Sequence, residues 1–167
     1  MNSIDSMREE FVAEAATTRR VLERIPADKL GWKPHARSMT LGQLAFHIAT
    51  VPGGIARITK PESFDVSKNN FDPPQPASLE QVRAAFEESV SDAEKALEES
   101  TESNAEANWH LLLGEKEILC MPRASAWRAL MLNHWYHHRG QLSVYLRMLD
   151  VPICSIYGPS ADENPFA

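Results

Sequence analysis

The sequence predicts an all-α fold, a four-helix bundle with one long crossover. Three observations support this class. Four segments repeat apolar residues at helical spacing, two of them open with a capping box, and a Pro-rich stretch separates the second segment from the third. Bundles of this kind often contain a long crossover connection. The length of 167 residues suits a single domain over residues 1–167.

Two helices are predicted before the crossover. Apolar residues at three- and four-residue steps place the first helix from residue 4 to near Pro26, where the proline ends it. The second helix follows Thr40, which pairs with Gln43 in a capping box. Pro52 and the glycine pair after it are expected to kink or end this helix.

The crossover and the third helix come next. Residues 59–77, TKPESFDVSKNNFDPPQPA, contain four prolines and no period, so they predict a long surface loop of the kind that forms lids or rims. Ser78 and Gln81 form a second capping box, and the helix that follows is expected to end near Ser100.

The last quarter of the chain predicts a helix preceded by a short β-hairpin. Two β-capable pieces lie between Trp109 and Leu119 on either side of Gly114, although two isolated strands are only marginally stable. Helical spacing of apolar residues then predicts a fourth helix from near Ser125 to about Leu149.

Composition excludes several classes of protein. The formal net charge is −6 and no run of Lys or Arg occurs, so direct nucleic-acid binding is not expected. No apolar stretch approaches the ~20 residues of a membrane span, and the N-terminus lacks the features of a signal peptide. We therefore expect a cytoplasmic protein that does not bind membranes. Cys120 and Cys154 are too far apart for a redox or zinc motif and are interpreted as free thiols.

A candidate site lies in the fourth helix, at LNHWYHHRGQLSVYLR. His134 and His138 are four residues apart, about 40° on a helical wheel, so both imidazoles can reach one ion. Trp127 and Tyr145 fall on the same side of that wheel, which indicates that the pair faces the core. Such a pair alone is more often structural, but His47 lies at the buried edge of the second helix. Facing helices commonly build metal sites, so the three form a plausible tripod.

Two stretches, IPADKLGWKPHARSMTLGQLAFHIA and LNHWYHHRGQLSVYLRMLDVPICSIYGPSADE, carry a family resemblance. They resemble the DinB/YfiT-like superfamily of four-helix proteins regarded as metalloenzymes. Their most specific parts are the lone helix-2 histidine, H-x-x-x-H followed by RGQ, and the YGPSADE tail. The resemblance implies that His47, His134 and His138 bind nickel or zinc and that the chain forms a homodimer. Characterised relatives use low-molecular-weight thiols, as S-transferases or as a thiol-dependent isomerase.

The donor set predicts a catalytic type of site. Three neutral imidazoles leave the charge of a divalent ion uncompensated and at least one coordination position open. A thiol or a water molecule bound there loses its proton more readily. The expected function is a metal-dependent enzyme in which an external thiol attacks a small electrophile, as in an S-transferase. Two alternatives are a hydrolase that uses metal-bound water and a non-catalytic metal-binding stress-response protein. Ligand type does not distinguish nickel from zinc.

Three further residues are candidates for supporting roles in catalysis. Gln141 is close to His134 on the wheel and could orient an imidazole. Arg139 could meet an anionic substrate or pair with a carboxylate, and His137 could face a substrate or a partner chain. Structural hydrogen bonding is the alternative for Gln141 and Arg139. The other histidines, His35 and His110, are interpreted as ordinary loop or strand residues.

Overall fold

The chain folds into long helices with a small β-sheet. The computed structural model describes residues 3–167, so Met1 and Asn2 of the predicted domain lie outside the described residues. The regular elements, in chain order, are α1 (Ser3–Leu22), α2 (Leu41–Thr59), β1 (Ser63–Asp65), α3 (Leu79–Glu98), α4 (Glu102–Glu106), β2 (Asn108–Leu113), β3 (Lys116–Pro122), α5 (Arg123–Ala126) and α6 (His134–Met148). A π-helical segment, Trp127–Asn133, joins α5 to α6 without a break.

The helical core has α2 at its centre. Helix α2 packs most extensively against α3 and also contacts α6 and the π-helical segment, while α1 packs against α3 and α6. The core side chains come from all of these elements and include Phe11, Leu44, Ile48, Phe86, Leu132, Trp135 and Leu142. Among the described residues, no helix has both the length and the apolar character required to cross a membrane.

The predicted helix starts are confirmed at α2 and α3. Thr40 Oγ1 accepts from the Gln43 N–H at 3.0 Å, and the Gln43 side chain accepts from the Thr40 N–H at 3.0 Å, so the capping box is complete. At α3 the Ser78 hydroxyl accepts from the Gln81 N–H at 3.3 Å, but the Gln81 side chain accepts from Ala77 instead of Ser78. Both helices nevertheless begin where their sequence signals predict.

Of the two effects expected at Pro52, a kink or an end of α2, the end does not occur, since the helix continues to Thr59. A proline has no N–H, so it leaves the carbonyl four residues earlier without its helical donor. That carbonyl belongs to Ile48, and the Trp135 indole N–H donates to it at 2.9 Å. A side chain of α6 therefore replaces the missing donor, and the helix remains intact.

The all-α expectation is corrected by a three-stranded sheet of order β1-β2-β3. The predicted hairpin is present as antiparallel β2 and β3, joined through Gly114, whose φ of +62° suits glycine. Strand β1 pairs in parallel with β2 and lies in the crossover, where the sequence predicted only loop. A three-residue strand whose partner is about 47 positions away leaves no local period to detect.

The sheet is attached to the C-terminal end of α2. Terminal helix carbonyls lack intrahelical donors, and here side chains supply them. Trp109 Nε1 donates to the Ile58 carbonyl at 3.1 Å, and Arg123 Nε donates to the Thr59 carbonyl at 2.7 Å. Trp127 Nε1 donates to the Thr59 hydroxyl at 2.8 Å. The sheet and the start of the last helical segment are thereby held against one end of α2.

A double-mutant cycle tests the link between Pro52 and Trp135. Trp135→Phe should destabilise the protein, because it leaves the buried Ile48 carbonyl unpaired, at a cost of ~1–3 kcal/mol in addition to lost packing. Pro52→Ala restores the helical N–H, so Trp135→Phe should cost less in that background, with a coupling of about 1–2 kcal/mol measured by urea unfolding. Additive effects within about 0.5 kcal/mol would contradict this account.

The close approach of α2 to α3 gives a second prediction. A Cβ at Gly53 would lie 2.8 Å from the Ser89 Cα, whereas a Cβ at Gly54 would have no atom within 4 Å. Gly53→Ala should therefore force the helices apart and lower the free energy of unfolding by about 1–3 kcal/mol. Gly54→Ala, the matched control, should raise it by up to ~1 kcal/mol through helix propensity. Urea midpoints that move in the same direction for both variants would refute the packing argument.

Candidate metal centre

Three histidine side chains from two facing helices converge at one point. His47 comes from α2, and His134 and His138 come from α6. One ring nitrogen of each lies within 4.8 Å of the other two. The Nε2 atoms of His47 and His134 are 3.2 Å apart, and the three ring centroids are separated by 4.5 to 5.1 Å. The structure thus brings together all three predicted metal ligands.

The backbone contacts beside these histidines explain the convergence. Trp135 follows His134 in the chain, and its indole bonds to the carbonyl of Ile48, the residue after His47. This hydrogen bond sets the register of α6 against α2 at the level of the site. The four-residue spacing of His134 and His138 then places both rings on the side facing His47.

The distances between the nitrogens fit a metal ion. Two imidazole nitrogens bound to one ion at ~2.0–2.1 Å with tetrahedral angles lie about 3.3 Å apart. The observed Nε2 separation of 3.2 Å between His47 and His134 is close to that value. The third nitrogen, on His138, lies within 4.8 Å of the other two. The three-His group could therefore hold one divalent ion.

The electrostatic environment keeps the three rings neutral. Burial, together with the neighbouring His138 and His134, lowers the pKa of His47 to about 4. Burial is also the main cause of the lowered pKa of His134 and of His138. Neutral imidazoles carry the lone pairs that a metal ion needs, so at neutral pH no proton has to be displaced.

Hydrogen bonds orient the imidazole rings of His138 and His134. His138 Nδ1 donates to the Gln141 side-chain oxygen at 2.8 Å, which leaves Nε2 of His138 with its lone pair. His134 is hydrogen-bonded to the backbone of Leu130, in the π-helical segment. Gln141 was predicted to lie close to His134 and to orient an imidazole. The imidazole that it contacts is that of His138. The contact of Leu130 could not be found from side-chain patterns, because a backbone group makes it.

The other two candidate residues lie outside the three-His group. His137 is exposed, and its ring makes an edge contact with that of His138 at 4.9 Å between centroids. Arg139 is buried and extends toward α1, where it pairs with Glu14 and donates to the Thr18 hydroxyl at 3.0 Å and to the Tyr157 hydroxyl. These contacts correspond to the carboxylate pairing considered for Arg139.

The wheel position of Trp127 does not hold, although its side chain is buried in the core. The wheel position assumed 100° per residue from Trp127 to Tyr145, but the π-helical segment Trp127–Asn133 winds more slowly than an α-helix. Trp127 is instead bonded to Thr59 at the end of α2. Tyr145, within α6, donates to the Met39 carbonyl at 3.3 Å and packs edge-on against Trp32. Both aromatic residues are structural in these contacts.

The fold and the histidine group define a class of mostly helical proteins with a three-His centre between two helices. The sequence model of the DinB family matches residues 1–164, and the chain belongs to that family. The resemblance inferred from the sequence motifs is thereby confirmed.

Individual relatives are distant. The chain is similar to the uncharacterised protein YrdA of Bacillus subtilis strain 168, with 24% identity over 96% of this chain and 92% of that protein. A DinB-like protein from Bacillus cereus ATCC 10987 superimposes with a TM-score of 0.69, at 22% identity, over 91% of this chain and 94% of its own. The DinB-like protein YjoA from Bacillus subtilis gives 0.67 at 21% identity, over 91% and 96% of the two chains. These structural likenesses establish the fold.

The contact between Gln141 and His138 yields a prediction. Gln141→Ala should weaken divalent metal binding by about 10- to 100-fold, because the imidazole loses the acceptor that holds its orientation. Gln141→Glu keeps an acceptor and should retain the affinity. Competition with a chelator of known affinity measures both variants. Equal affinities for the alanine variant and the unmodified protein would show that this hydrogen bond does not orient a ligand.

Proposed function

We propose that this protein is a metal-dependent enzyme in which His47, His134 and His138 hold one nickel or zinc ion and an external low-molecular-weight thiol attacks a small electrophilic substrate. The observation that carries the proposal is the convergence of three half-buried imidazoles, with one nitrogen of each inside 4.8 Å. In this proposal the four long helical segments form a bundle with the three-His group between two of them.

The composition of the site favours an anionic co-substrate. When bound, a divalent ion supplies Lewis acidity to a thiol or a water molecule at its open coordination position. The imidazoles add no negative charge, and the three-His group contains no carboxylate. The three-His group therefore leaves the positive charge of the ion uncompensated, which favours the binding of a thiolate.

The thiol in this proposal comes from outside the chain. Cys154 is buried in the hydrophobic core, and Cys120 is exposed on β3. Neither belongs to the three-His group, so neither supplies a sulfur ligand there. A free thiol is then required as a co-substrate, as in the characterised proteins that the sequence motifs resemble.

The crossover supplies a rim near the site. Gln43 lies one helical turn before His47, and its side-chain amide donates to the Pro73 carbonyl at 3.2 Å. The adjacent Thr40 hydroxyl donates to the Gln75 side-chain oxygen at 2.5 Å, and Gln75 donates to the Leu30 carbonyl at 3.3 Å. The residues after β1 are thus anchored to the first turn of α2, about one helical turn before His47. We propose that this rim and the exposed His137 contact the substrate.

Elemental analysis tests the metal part of the proposal. The purified protein should contain about one nickel or zinc ion per chain, and His47→Ala, His134→Ala and His138→Ala should each lose it, because two imidazoles hold an ion much less tightly. His137→Ala, which removes an exposed imidazole outside the group, should retain the ion. Circular dichroism should show that all four variants remain folded. Retention of the metal in all three ligand variants would refute the assignment.

Activity assays separate the proposed reaction from the alternatives. The loaded protein should modify small electrophiles only when a low-molecular-weight thiol is present, and His47→Ala should abolish that activity. Hydrolysis of esters or amides without added thiol would instead indicate a hydrolase. No turnover, combined with a large loss of thermal stability on chelation, would indicate a structural metal in a non-catalytic binding protein.

A further inference from the structure

A second group of potential ligands lies on the β-sheet, away from the three histidines. It consists of His110 on β2 and Glu117 and Cys120 on β3, and one donor atom of each lies within 4.8 Å of the other two. The His110 Nδ1 and a Glu117 carboxylate oxygen form a hydrogen bond of 2.6 Å. The group brings an imidazole, a carboxylate and a thiol together on an accessible surface.

A β-bulge places these three side chains on the same face. His110 is paired with Cys120, and Leu112 is paired with Glu117, so β3 contributes an extra residue, Ile118, between the two pairs. Side chains alternate along a regular strand, so Glu117 and Cys120, three positions apart, would otherwise lie on opposite faces. The bulge restores Glu117 to the face of His110 and Cys120. Bulges of this kind commonly re-aim a side chain near functional sites.

The backbone around the group is held firmly. The His110 N–H donates to the Glu62 carbonyl at 3.0 Å, and the Gly114 N–H at the hairpin turn donates to the Asp65 carboxylate at 3.0 Å. The neighbouring Trp109 is fully buried and anchored to Ile58 near the end of α2. Ile58 follows His47 by eleven helical residues, roughly 16 Å along the axis. The sheet group is therefore separate from the three-His group.

We propose that His110, Glu117 and Cys120 form a second metal site, which binds a zinc-like divalent ion and leaves one coordination position to solvent. Thiolate and imidazole are the ligands that borderline ions such as zinc prefer, and carboxylate oxygen completes common zinc sites. The thiol proton of Cys120 passes to solvent when the ion binds. One thiolate and one carboxylate neutralise a divalent charge, in contrast to the three-His group. Without a metal ion, an exposed pair such as His110 and Glu117 contributes little to the stability of the fold. The pairing of these two side chains therefore does not by itself explain the bulge.

Cobalt titration distinguishes this site from the three-His site. Cobalt(II) bound to a thiolate has an intense near-ultraviolet charge-transfer absorption, which imidazole ligands do not produce. The protein, kept reduced with a phosphine that contains no thiol, should bind two cobalt ions, and one of them should produce this absorption. Cys120→Ser and His110→Ala should remove or strongly weaken it. Cys154→Ala, the control for the other thiol, should retain it.

The two metal proposals can fail independently. A variant with alanine at His47, His134 and His138 should still bind one cobalt ion with the thiolate absorption if the sheet site exists. Binding of a single ion without thiolate absorption in the unmodified protein would overturn the sheet site and leave the three-His proposal intact. Thiolate absorption that survives Cys120→Ser would equally overturn the assignment of Cys120 as a ligand.

Discussion

The hydrogen bond from the Trp135 indole to the Ile48 carbonyl is the contact on which the arrangement of the site depends. Pro52 has no N–H, so the Ile48 carbonyl lacks its helical donor and accepts a hydrogen bond from Trp135 instead. A buried carbonyl without a donor costs ~1–3 kcal/mol, so α6 is strongly favoured in the one register that supplies it. Ile48 is next to His47 and Trp135 is next to His134, so the same register brings the two imidazoles together.

In α6, the residues that pack against other helices and the two histidines lie on different faces. Trp135, Arg139 and Leu142 are buried, and they fix the helix against α2 and α1. Arg139 also holds the C-terminal tail through Tyr157, over which its guanidinium lies 5.2 Å from the ring centre. His134 and His138 are one position before Trp135 and Arg139, so anchoring of those two buried residues also anchors the two imidazoles.

Local signals made much of this structure predictable. The capping box at Thr40, the helical periods and the hairpin around Gly114 depend on residues close in sequence, and each is observed. Three features were not predictable because they depend on distant partners. Pro52 is tolerated through Trp135, β1 exists only beside β2, and the π-helical turn before His134 leaves no mark in the apolar period. The histidine group was found because its spacing falls within regular α-helix.

Partial burial explains why this position suits a metal site. His137 lies at an exposed position, and its ring contacts that of His138 edge-on. At the fully buried position of Trp135 an imidazole would be inaccessible from solvent. His47, His134 and His138 lie between these extremes. Burial lowers the pKa of each imidazole and keeps its lone pair available, while each of the three side chains remains partly exposed.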